Sequence, residues 1–105
     1  MSSLGLEQSV IETICKVLDD SKKVSRAAVF GSRAKGNYRK YSDIDIAVWG
    51  ELNGHDAQRI ESELEELPRI IYKFDVAAYD EIKNTELREH IDRVGIIIYN
   101  RGKNT

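Results

Sequence analysis

Apolar residues return every three or four positions over residues 6–19, where Leu6, Val10, Ile14, Val17 and Leu18 fall on one helical face. Ser3 is a candidate N-cap for this helix, although Gly5 weakens its start. Residues 24–30 read as a strand broken by Gly31, and residues 32–36 as a short helical turn ahead of a polar loop. Residues 43–49, Asp-Ile-Asp-Ile-Ala-Val-Trp, alternate with period two. Asp43 and Asp45 therefore share one face and Ile44 and Ile46 the other, until Gly50 ends the strand. Residues 55–67 predict a second helix with Ala57, Ile60, Leu64 and Leu67 as its apolar stripe. Glu61, Glu63, Glu65 and Glu66 lie mostly on its wet side, Asn53 is its candidate cap, and Pro68 stops it.

Residues 70–78 predict a third strand, with Tyr72, Phe74 and Val76 on one face and Lys73 and Asp75 on the other. A helix over 84–94 carries Leu87, Ile91 and Val94 and is closed by Gly95; residues 96–99 read as a short last strand or an apolar tail. The order α-β-turn-β-α-β-α, with or without a last strand, predicts a mixed α/β (α+β) fold, one small sheet backed by helices, as a single domain over residues 1–105.

Composition narrows the function classes. With 41% hydrophobic and 32% charged residues the chain is of ordinary globular make-up. Its apolar runs are a few residues long, against the roughly 20 that a membrane span needs. No basic segment followed by an apolar one opens the chain, so a cytoplasmic protein without membrane association is expected. The one cysteine, Cys15, excludes an internal disulfide framework and a cysteine-based zinc site; it is expected on a helix face or in the core. A net charge of −2 gives no bulk electrostatic case for direct nucleic-acid binding. The first fifty residues, however, carry a net +2 and the remainder −4. Arg33, Lys35, Arg39 and Lys40 form a basic loop that runs into Asp43 and Asp45.

The acids are the first candidate chemistry. An isolated Asp-x-Asp on a strand more often just faces solvent. If the strand carrying Asp75 pairs with that of Asp43 and Asp45, three carboxylates converge and repel one another unless cations neutralise them. Magnesium suits such carboxylates when it arrives with substrate phosphates. Two ions about 3.5–4 Å apart can flank an in-line phosphoryl displacement. Gly31-Ser32, at a strand-to-turn junction, is a candidate phosphate site: glycine permits close backbone approach, and exposed N–H groups favour phosphate oxygens. Gly31 and Gly36 have the glycine spacing of a Walker A loop, but Asn37-Tyr38 stand where Lys and Ser or Thr are required, so a P-loop is rejected.

Taken together, Phe-Gly-Ser-Arg-Ala-Lys-Gly at 30–36, five residues, and Ser-Asp-Ile-Asp-Ile at 42–46 resemble the DNA-polymerase-β-like nucleotidyltransferase superfamily. Within it the chain is similar to the minimal nucleotidyltransferases (MNT) over roughly residues 24–99. The resemblance implies that Gly31 and Ser32 hold a nucleoside triphosphate, ATP above all, with Arg33 also at the phosphates. It implies that Asp43 and Asp45 bind two Mg2+ ions, and that Asp75 completes one metal site and helps deprotonate the attacking hydroxyl. Asp80, the competing third acid, lies past the predicted strand end. The resemblance further points to toxin–antitoxin pairs, in which an MNT chain is antitoxin to a HEPN ribonuclease and in some systems transfers AMP onto a tyrosine of that toxin. Two alternatives stand beside this: a non-catalytic antitoxin that acts by contact, and a homodimeric small-molecule nucleotidyltransferase. His55 and His90 have no ligand-spaced partner and read as surface or capping residues; Tyr38 and Tyr41 read as packing residues, and Trp49 as core or sheet edge.

Overall fold

A computed structural model describes residues 4–40 and 42–101. The elements are α1 (Gln8–Asp20), β1 (Val24–Phe30), α2 (Ser32–Lys35), β2 (Ile44–Gly50), α3 (Gly54–Glu65), β3 (Phe74–Ala78), α4 (Thr85–Val94) and β4 (Ile96–Asn100), with a 3-10 turn over Tyr79–Glu81. The four strands form one mixed sheet in the order β3-β2-β1-β4. β1 is antiparallel to both β2 and β4, whereas β2 and β3 are parallel. Parallel neighbours need a crossover, and α3 supplies it.

Strand alternation divides the core between the two faces of the sheet. Val24, Ala27 and Val29 of β1 and Ile44, Ile46 and Val48 of β2 pack with Ile14 and Leu18 of α1 and Ala57, Ile60 and Leu64 of α3. On the other face Phe30, Ala47 and Ile91 form a smaller cluster, flanked by Trp49, Tyr79, Leu87 and Val94. Helices α1 and α3 thus cover one face and α4 part of the other. The acids of β2 and β3 lie on this second face. Gly95 lets the chain turn from α4 straight into β4, since a Cβ there would meet the Ile91 carbonyl oxygen at 2.5 Å.

Helix starts follow local chemistry. Asn53 and Asp56 form a reciprocal capping box on α3, Asp56 N–H donating to Asn53 Oδ1 at 3.0 Å and Asn53 N–H to Asp56 Oδ2 at 3.1 Å. Asn84 accepts from the Glu86 and Leu87 amides to start α4. Helix α1 begins after Glu7, whose side chain makes no capping bond; Ser3, the expected cap, lies outside the described residues.

The third strand departs from the sequence expectation of 70–78. It begins only at Phe74, because its pairing partner β2 begins at Ile44, directly opposite. Residues 70–73 have no ladder to join beyond a bond from the Ile44 amide to the Lys73 carbonyl, 2.9 Å. Among the described residues no helix is long and apolar enough to cross a membrane.

Candidate active site

Asp45 stands at the centre. In the β1–β2 register it is opposite Phe30, and in the β2–β3 register it is opposite Asp75. Asp43 sits two residues ahead, just before β2, near enough for its charge to act on Asp45. The parallel pairing thus brings together the three acids singled out from sequence. Their mutual influence is visible in Asp45. Partial burial, then the charge of Asp75, then that of Asp43 raise its carboxyl from an ordinary 3.8 to about 6. Among the described residues neither Asp45 nor Asp75 is ion-paired with a lysine or arginine. Asp80 is elsewhere: it lies in the turn after β3 and lines a groove with Trp49 and Gly50, at the other end of β2.

Gly31 closes the other side of Asp45. Its φ of 74° is in the region that disfavours side chains, and a Cβ built there would fall on Asp45 Oδ2. Glycine is thus needed twice, for the turn and for the approach of the carboxylate. α2 follows at once, and the first amides of a helix have no intrahelical acceptor. Ser32, half-buried, opens it.

Two residues have roles the sequence reading did not assign. The Gly31 amide donates to His90 Nε2 at 3.2 Å, and the His90 ring meets Phe30 edge-on. His90 is therefore neither a cap nor a bystander; it ties α4 to the turn beside Asp45. Fifty-nine positions separate the partners, and no local pattern announces the contact.

Arg33 is the correction. The expectation placed it at the phosphates, yet it is 1% exposed. Its guanidinium donates to the carbonyls of Leu4 and Gly5 at 3.1 and 3.3 Å and of Lys40 and Ser42 at 3.1 Å each. It lies over the rings of Tyr38 and Tyr72, 5.0 and 4.9 Å from their centroids. A planar fork of five donors can satisfy several carbonyls at once, and aromatic faces shelter its charge. Arg33 knots the start of the chain to the loop that delivers Asp43. Tyr38 serves this knot, while Tyr41 lies outside the described residues. Lys35 and Arg39 are exposed.

The remaining side chains play structural parts. Trp49 is stacked on Tyr79 at 4.7 Å, and Arg26 lies over its ring 4.3 Å from the centroid. The Cys15 thiol donates to the Ile98 carbonyl at 3.1 Å, and burial with the nearby Glu12 raises it above the usual thiol range. His55 is exposed near the start of α3.

The donor set of Asp43, Asp45 and Asp75 is all carboxylate oxygen and carries an excess of negative charge, which suits a hard divalent cation. Among the described residues no three such groups form a ready-made ion cage. A magnesium ion held by one or two carboxylates and completed by phosphates requires none.

Residues 12–104 match the family model described as polymerase beta, nucleotidyltransferase. The chain belongs to the polymerase β nucleotidyltransferase family. This nucleotidyltransferase is 32% identical over 94 residues to a Methanocaldococcus jannaschii chain called "Putative protein adenylyltransferase MJ1379", covering 88% of this chain and 94% of that one. Its fold matches a chain in a crystal structure of a toxin–antitoxin with AMP-PNP, with a TM-score of 0.74 and 23% identity over 89% of this chain and 75% of the other. A structure of the tri-AMPylated Shewanella oneidensis HEPN toxin in complex with its MNT antitoxin matches with a TM-score of 0.70 and 23% identity, over 90% of this chain and 73% of the other. At these identities the structural likeness speaks for the fold alone.

Proposed function

We propose that this nucleotidyltransferase moves AMP from ATP onto a hydroxyl of a partner protein, with Mg2+, and that the partner is a HEPN-type toxin which the chain restrains as antitoxin. The observation that carries the reading is the register that sets Asp45 between Gly31 and Asp75, with Asp43 two residues away. A carboxylate cluster beside a glycine turn and a helix start pairs a cation site with a phosphate site. The adenylyltransferase name of the archaeal relative and the antitoxin complexes among the structural neighbours favour a protein acceptor.

In this reading Ser32 and the first amides of α2 receive the triphosphate, and Gly31 keeps the turn free of a side chain. Asp43 and Asp45 hold two Mg2+ ions and Asp75 completes one of their sites; the ions would supply charge neutralisation at the phosphates. Asp75 accepts the proton of the acceptor hydroxyl as its oxygen bonds to the α-phosphorus; the bond to the β-phosphate oxygen breaks and pyrophosphate leaves. Asp43 and Asp75 are exposed, and a concavity of about 770 Å³ lies at the opposite end of β2. Docking of a partner over the acids would bring its hydroxyl to the roughly 3–3.5 Å that in-line attack requires.

The test is mass spectrometry of the natively purified complex incubated with ATP and Mg2+. The partner should gain one or more AMP masses with wild type and none with Asp75→Asn. A partner that binds but never gains mass would favour the contact-only antitoxin. Rapid transfer by the chain alone to a small-molecule hydroxyl would favour the homodimeric small-molecule enzyme.

A further inference from the structure

Asp75 lies on an edge strand. One side of β3 pairs with β2, and among the described residues no strand covers the other. An open edge leaves alternate backbone N–H groups unpaired and lets the strand twist or fray. On β3 these are the amides of Phe74 and Val76, which bracket Asp75. Both are taken by side chains of α3: Phe74 N–H donates to Glu65 Oε2 at 2.8 Å, and Val76 N–H to Glu61 Oε1 at 2.9 Å.

The match is geometric. Four residues along a helix rise about 6.0 Å, and two residues along a strand about 6.6 Å. Carboxylates at positions i and i+4 of α3 can therefore reach amides at j and j+2 of an antiparallel-running strand without distortion. Glu61 and Glu65 adjoin the buried row Ala57, Ile60 and Leu64, so core packing sets their distance from β3. Glu63, exposed on the same helix, and Glu66, just past its end, make no such bond among the described residues.

We propose that Glu61 and Glu65 are positioning residues for Asp75, gripping the free edge of β3 on either side of it so that its carboxylate stays level with Asp45. The inference rests on the reading of Asp75 as the third carboxylate of the nucleotidyl-transfer site. It adds a support that lies outside the Gly-Ser and Asp-x-Asp segments. The hydrogen bonds need an acceptor oxygen at that reach, not a charge, so glutamine should serve and alanine should not.

The experiment uses the full chain with Mn2+ and AMP-PNP as probes, reading free Mn2+ by electron paramagnetic resonance, alongside hydrogen exchange of the Phe74 and Val76 amides. Glu61→Ala and Glu65→Ala should speed exchange at Val76 and Phe74 respectively and weaken nucleotide-dependent Mn2+ binding by about tenfold, the low end for losing the support behind a metal ligand. Glu61→Gln and Glu65→Gln should restore both. Should an alanine variant fail to fold, Glu65→Asp keeps the charge but loses one methylene of reach and should behave as the alanine variant was expected to. Faster exchange with unchanged Mn2+ binding, while Asp75→Asn weakens it, would reduce the pair to a cover for the strand edge and overturn the proposal. Unchanged Mn2+ binding in Asp75→Asn itself would instead overturn the reading of Asp75, and the proposal with it.

Discussion

Replacing Asp45 by asparagine should stabilise the metal-free protein at neutral pH and leave it unchanged in acid. The carboxyl goes from an ordinary 3.8 to about 6 on folding, through burial and the charges of Asp75 and Asp43. The folded state therefore binds the proton more tightly than the unfolded state, and stability falls as pH rises between those two values. Above about pH 6 the full penalty applies; below about pH 3.8 both states are protonated and it vanishes. At 1.36 kcal/mol per pK unit the interval corresponds to about 3 kcal/mol. Asp45 is only half-buried, so screening by water cuts this to about 1.5 kcal/mol. For a domain of this size that is roughly 6–12 °C in melting temperature. Thermal and urea unfolding of wild type and Asp45→Asn in chelator, at pH 4 and pH 7.5, measures it. The variant should lead clearly at pH 7.5 and keep only a small part of that lead at pH 4, and Mg2+ with ATP should stabilise wild type more than the variant. A variant less stable at pH 7.5, or one with the same offset at both pH values, would refute the account of repelling carboxylates.

Arg33→Ala should cost about 3 kcal/mol or more in urea unfolding, because it removes one buried and three part-buried hydrogen bonds to carbonyls, and Arg33→Lys should recover little of this for want of the planar fork. A near-neutral Arg33→Ala would return the residue to the phosphates. Gly31→Ala should destabilise by roughly 1–3 kcal/mol through its positive φ and displace Asp45, seen as lost binding of magnesium and AMP-PNP by calorimetry. His90→Ala should cost about 1 kcal/mol and hasten hydrogen exchange at the Gly31 amide; unchanged exchange there would show that the His90 bond does not hold in solution.

Short-range order was legible in the chain because it is written in short-range spacing. Strand β1 has the expected bounds, and period two alone separates Asp45 from the buried Ile44 and Ile46 of β2, although that strand begins only after Asp43. The Asn53 cap and the Pro68 stop needed only neighbours three residues to a dozen away. The third carboxylate was a sharper matter: alternation chose the face of Asp75, but the parallel register chose its partner. What the tertiary structure alone decided are the bonds between elements. Arg33 on a basic loop has no sequence mark that separates a solvated cation from a buried one; burial came from Tyr72, thirty-nine positions on, and from Leu4 and Gly5 far behind. His90 on an ordinary helix meets Gly31 only because α4 folds back over the end of β1. Glu61 and Glu65 look like wet-side charges by helical periodicity. They become partners of β3 because an edge strand has amides to satisfy, and the crossover lays a helix of matching pitch beside them.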